Sequence, residues 1–87
     1  MANMLLEKKW VACVNILPKV TSMYRWNGDI VEEEETLSIF KTSSGRTKDV
    51  LAFLGEHHPY ECPEAIALSI EDGLSQYLNW IEQNVVD

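Results

Sequence analysis

Cysteine is scarce in this sequence: Cys13 and Cys62 are the two thiols, 49 positions apart and without paired-cysteine spacing around either. That argues against a disulfide scaffold or a zinc finger, and two scattered thiols in a chain without a leader read as reduced and cytoplasmic. Basic side chains are few, 7 Lys and Arg against 14 Asp and Glu, giving a net charge of −7 and a pI near 4.7. The imbalance disfavours nucleic acid and anionic membrane surfaces as partners, and its field attracts cations. Long hydrophobic runs are missing too. No stretch free of Asp, Glu, Lys and Arg exceeds nine residues, so no span of a bilayer is expected. Residues 1–9 are too short and too soon charged to read as a signal peptide. A Gly-rich phosphate loop, a nucleophile elbow and a metalloprotease helix are absent. Nothing in the sequence identifies a base that would activate Ser43 or Ser44, so the expectation is a protein that is not an enzyme.

What is present suits one small folded domain over residues 1–87, with 46% apolar and 24% charged residues. A domain of this size buries only about 60–65% of its unfolded surface, so it needs good packing or a partner. Residues 1–8 carry helix formers without a start signal, as the last turns of a helix would. Residues 10–17 favour a strand through Val11, Val14 and Ile16, and Pro18, lacking a ladder donor, marks a bulge or an edge. Strand character resumes over 20–26. Asn27-Gly28 then predicts a tight hairpin turn, and 30–41 returns as the partner strand, making an unusually long hairpin. Alternation along that strand sends Glu32 to Glu35 two to each face, a solvated margin rather than one carboxylate site. Tyr24, Arg25 and Trp26 near the tip are aromatic and basic residues of the kind enriched at subunit interfaces. Cross-strand packing within the hairpin is the other reading of these three.

Thr42-Ser43-Ser44-Gly45 breaks to a helix ending near His57, with Ser43 or Ser44 as cap and Val50, Leu51, Phe53, Leu54 and His57 as its buried stripe. Residues 65–70 form a short, nearly continuous apolar run, expected as a strand covered on both faces. Glu71-Asp72-Gly73 turns the chain into a last helix, with Ser75 as a possible cap and Leu74, Tyr77, Leu78, Ile81 and Val85 on one side. Between the two helices lies the densest chemistry: His57, His58, Tyr60, Glu61, Cys62 and Glu64, punctuated by Pro59 and Pro63. The prolines push His58 and Cys62 out of the helical region, which excludes a helical His58-to-Cys62 chelate. The local sequence leaves two readings open, a metal site and a plain helix stop before a strand.

Several blocks together resemble the CutA family of divalent-cation tolerance proteins. They are Ala12-Cys13-Val14-Asn15-Ile16, Pro18, Thr21-Ser22, Tyr24-Arg25-Trp26, Gly28, Lys41-Thr42, His58-Pro59-Tyr60-Glu61, Pro63-Glu64, Ile66-Ala67-Leu68, Gly73, Tyr77-Leu78 and Trp80. The resemblance implies an α+β, ferredoxin-like sandwich (β-α-β-β-α-β plus a C-terminal helix) in which the first strand and most of the first helix are missing from this chain. It also implies a cytoplasmic homotrimer of PII-like architecture, joined through the long hairpins. Divalent metal, chiefly copper, would be bound through His57 and His58. A first-strand cysteine that contributes in some members has no counterpart here; Cys13 falls on the second strand, where core packing is its expected role. The alternative is a trimeric interaction or signalling scaffold, with a protein partner and no metal role.

Overall fold

Helix formers at the N-terminus make α1 (Ala2–Glu7) in the computed structural model, which describes residues 1–57 and 64–86. The helix stops in a Schellman arrangement: Lys9 N–H donates to the Leu6 carbonyl and Trp10 N–H to the Leu5 carbonyl, each at 3.1 Å. Lys9 takes the left-handed conformation this requires, with φ 59°. The chain then enters β1 (Cys13–Trp26), which pairs antiparallel with β2 (Asp29–Lys41) from Cys13 opposite Lys41 to Trp26 opposite Asp29. Asn27 and Gly28 turn the hairpin with φ of 50° and 85°, as the Asn-Gly pair predicts. The register shifts between Leu17 and Val20, where Pro18 cannot donate and Lys19 sits at φ 61°. The expected bulge is therefore where proline put it.

A 3₁₀ turn, Ser44–Arg46, leads into α2 (Thr47–His57). Ser43 occupies the cap of that turn but makes no side-chain capping bond; instead Thr47 Oγ1 donates to the Ser43 carbonyl at 3.1 Å. The last helix, α3 (Ser75–Gln83), has Leu74 rather than Ser75 at its cap. Leu5, Val11, Val50 and Phe53 are buried together, with Trp10, Val14, Phe40 and Leu54 packed against them. Ile81 and Val85 are buried as well, whereas Leu74 and Tyr77 of the predicted stripe are exposed. The tail is held against the end of α1: Val86 N–H donates to the Lys9 carbonyl at 2.7 Å, and Arg46 Nε donates to the Val86 carbonyl.

The class is α+β as expected, with helices against an antiparallel hairpin, but one element differs. Residues 64–74 carry neither helix nor strand, and among the described residues the run 65–70 pairs with no strand. The hairpin is the one sheet among the described residues. A strand exists through its neighbours; without one, even a strongly β-prone run stays unpaired and exposed. No described helix is long and apolar enough to cross a membrane.

Candidate functional site

His57 is the last residue of α2, one turn beyond Phe53, and this spacing fixes its ring in two ways. The imidazole stacks on the Phe53 ring at 4.0 Å between centroids and 16° between planes. Its Nδ1 lies 2.9 Å from the Phe53 carbonyl oxygen. A carbonyl only accepts, so Nδ1 carries the proton, and the neutral ring keeps its lone pair on Nε2. Histidine ligands of metals are held this way, by a hydrogen bond from the other ring nitrogen to a carbonyl or carboxylate. Phe53 is itself buried and meets Trp10 edge-on at 6.4 Å. Lys8 and Arg46 lie 5.0 and 4.9 Å from the Trp10 ring centroid. The His57 ring thus rests on a stack anchored in the core, beside an open hollow of about 450 Å³ shared with Met4, Asp49 and Glu56.

His58, the second predicted ligand, lies outside the described residues, as do Glu61 and Cys62. Among the described residues no three of His, Cys, Asp and Glu cluster as a metal site. This includes the glutamate run, whose members face Val20, Thr21, Ser22 and Met23 across the ladder and alternate between its faces.

A second polar arrangement was not visible in the sequence. Lys41 Nζ donates to the Tyr77 hydroxyl at 3.0 Å and sits 5.3 Å from the centre of its ring. That hydrogen bond is the main reason the lysine titrates above its ordinary value. Tyr77 stacks on Trp80 at 5.8 Å. Half-buried Cys13, opposite Lys41 in the ladder, lines an open groove of about 930 Å³ with these two aromatic residues. It is therefore less enclosed than the core role expected of it. At the hairpin tip Tyr24 is half-buried opposite Val31, while Arg25 and Trp26 are exposed opposite Ile30 and Asp29.

The sequence profile described as CutA1 divalent ion tolerance protein matches residues 1–84. The chain belongs to the CutA family. Protein CutA of Mus musculus is 43% identical over 82 residues, which are 94% of this chain and 46% of the mouse protein. The chain thus spans about half the length of that mammalian relative. The divalent-cation tolerance protein CutA of Thermus thermophilus is 41% identical over 83 residues, 95% of this chain and 81% of its own. Among solved structures, the periplasmic divalent cation tolerance protein CutA of Archaeoglobus fulgidus superposes with a TM-score of 0.90 at 40% identity, covering 98% of this chain and 82% of that one. The PII-like protein CutA of Nostoc sp. PCC 7120, in apo form, gives 0.88 at 31%, with 98% and 83% covered.

Proposed function

We propose that this CutA protein binds divalent cations, copper foremost, through His57 and His58, and takes part in cation tolerance. In this reading the subunit is a ferredoxin-like sandwich joined by its hairpins into a cytoplasmic homotrimer of PII-like architecture, without catalytic activity. The observation that carries the metal reading is the Phe53 carbonyl holding His57 Nδ1, which leaves Nε2 with its lone pair on an exposed ring. Imidazole suits copper, and affinity rises toward copper along the first-row divalent series. Relatives described as divalent-cation tolerance proteins support the same reading. The cytoplasmic placement rests on the two scattered thiols, while the Archaeoglobus relative is described as periplasmic. His57 alone is one ligand, so the site draws on His58 and on donors from a neighbouring subunit or Glu61.

Copper titration of the purified protein beside the His57→Ala, His58→Ala double variant tests this. The double variant is expected to lose the tight site, and wild-type binding should weaken as pH falls, because the ligating nitrogen must be unprotonated. Equal binding by both proteins would place the site elsewhere. The second reading, a trimeric interaction or signalling scaffold without metal, draws on the exposed Met23, Trp26 and Ile30 near the hairpin tip. It predicts assembly without a copper site.

A further inference from the structure

Arg46 and Asp49 form an ion pair near the surface, and such a pair alone contributes little. The guanidinium nevertheless meets three separate parts of the chain. Its Nη1 donates to Asp49 Oδ2 at 2.9 Å, in the first turn of α2. Its Nε donates to the Val86 carbonyl, beyond the end of α3. Its carbon lies 4.9 Å from the centre of the Trp10 ring. A planar fork held by two hydrogen bonds has little freedom left, so the indole packs on a fixed neighbour. The Trp10 backbone is held as well. The Lys9–Trp10 peptide accepts from the Val86 N–H at 2.7 Å and donates to the Leu5 carbonyl at 3.1 Å. Thr42 Oγ1 donates to the Trp10 carbonyl at 2.6 Å. Val86 thus reaches Trp10 twice, once through the Lys9 carbonyl and once through Arg46.

From Trp10 the contacts run on to the imidazole. The indole meets Phe53 edge-on at 6.4 Å and 79°, and Phe53 stacks on His57 at 4.0 Å. Among the described residues, both anchors of the His57 ring, this stack and the bond from Nδ1 to the carbonyl, belong to Phe53. Whatever sets the Phe53 ring therefore sets the direction of His57 Nε2. We propose that Arg46 is a positioning residue for His57, acting through Trp10 and Phe53, and that closure of Val86 onto Arg46 and Lys9 is linked to metal uptake at His57. The linkage rests on the metal reading given above; the pose of the ring is a property of the protein without metal. With Arg46 bound to Val86, the indole is pinned against the edge of Phe53 and the imidazole keeps its stacked pose. Once released, Trp10 turns outward, Phe53 loses that edge, and the His57 ring loses its fixed direction. A cation on Nε2 requires the fixed pose and so favours the closed arrangement. The effect is reciprocal: closure strengthens metal binding by the factor by which metal strengthens closure.

The test uses the whole chain and variants at the two ends of this series of contacts. Arg46→Gln removes the cation and its fork, Val86→Pro removes the donor to the Lys9 carbonyl, and Arg46→Lys keeps a cation for the Trp10 face. NMR of the metal-free protein reads the His57 ring protons, which the Phe53 ring current shifts, and the ring nitrogens, which report where the proton sits. A change in global stability alone does not move these signals in the folded state. In Arg46→Gln and Val86→Pro they are expected to move toward those of an unstacked imidazole, with partial return in Arg46→Lys. Copper affinity in the first two variants should fall about fivefold or more, the lower end of ordinary coupling between sites. Hydrogen exchange read by mass spectrometry, which paramagnetic copper does not disturb, follows the peptide containing Val86. Copper should slow its exchange by a similar factor in wild type and not in the His57→Ala, His58→Ala variant. The proposal is overturned if the His57 signals of both variants match wild type; copper binding lost only in the double histidine variant would then leave the metal reading standing. It is equally overturned if bound copper leaves exchange at Val86 unchanged. A wild-type protein that binds no copper, with His57 still moving in both variants, refutes the metal reading and the linkage but upholds Arg46 as the positioning residue.

Discussion

Lys41 and Tyr77 are 36 positions apart, and neither carries a local sign that they meet. His57 is the opposite case: its bond to the Phe53 carbonyl is a one-turn contact that helical spacing makes local, although His57 itself is exposed rather than part of the expected buried stripe, which is buried at Val50 and Phe53. Local chemistry is legible; a contact made by the return of a distant helix is not. The Lys41 contact has a definite pH signature. The phenol oxygen accepts from the ammonium and so raises the lysine's value in the folded protein above the ordinary 10.5. The stabilisation is then fully present below the ordinary value and is lost as pH rises through the raised one. Tyr77→Phe removes the acceptor and keeps the ring. NMR of the Lys41 side chain is expected to show its titration midpoint falling toward 10.5 in that variant, and an unmoved midpoint would mean the hydrogen bond is not the cause.

At the scale of elements, the hairpin was the easiest feature to read and residues 65–70 the hardest. Asn27-Gly28 and Pro18 act through backbone rules that hold anywhere, so the turn and the bulge fell where expected. A strand such as 65–70 depends on a neighbour that its own residues cannot supply, so strong β character there predicts only a capacity. The helix starts lie beside the expected caps: Ser75 is the first residue of α3 rather than its cap, and a Ser44–Arg46 turn with Ser43 at its cap precedes α2. The end of α1 was not anticipated either, since a lysine is an unusual choice for a left-handed position. Lys9→Gly should therefore stabilise the fold by about 0.5–1 kcal/mol, with a higher melting temperature, and no change would show that the Lys9 side chain compensates for its backbone.

Across the whole molecule, the dimensions are 45 × 27 × 20 Å with a radius of gyration of 14.9 Å, against about 12 Å for a compact domain of this length. The excess is the hairpin: a strand of 14 residues is about 46 Å long at 3.3 Å per residue. Much of it projects beyond the core at Leu5, Val11, Val50 and Phe53. A small acidic protein that leaves Met23, Trp26 and Ile30 exposed on such an arm matches the proposed trimer. Light scattering coupled to gel filtration is expected to give three subunits at micromolar concentration. Trp26→Ala should weaken assembly more than Trp80→Ala, and a monomer would refute the trimer. The three tryptophans also stand at three separate places: Trp10 over the Phe53–His57 stack, Trp26 at the tip, Trp80 against Tyr77. Each is consequently an optical reporter on a different event. A paramagnetic Cu(II) ion on His57 would quench the emission of Trp10, two ring contacts away, while Trp26 would respond to dilution and Trp80 to loss of the Lys41–Tyr77 bond. Copper quenching should survive in the Trp26→Phe, Trp80→Phe variant and largely vanish in Trp10→Phe, so that light emission alone separates metal uptake from assembly.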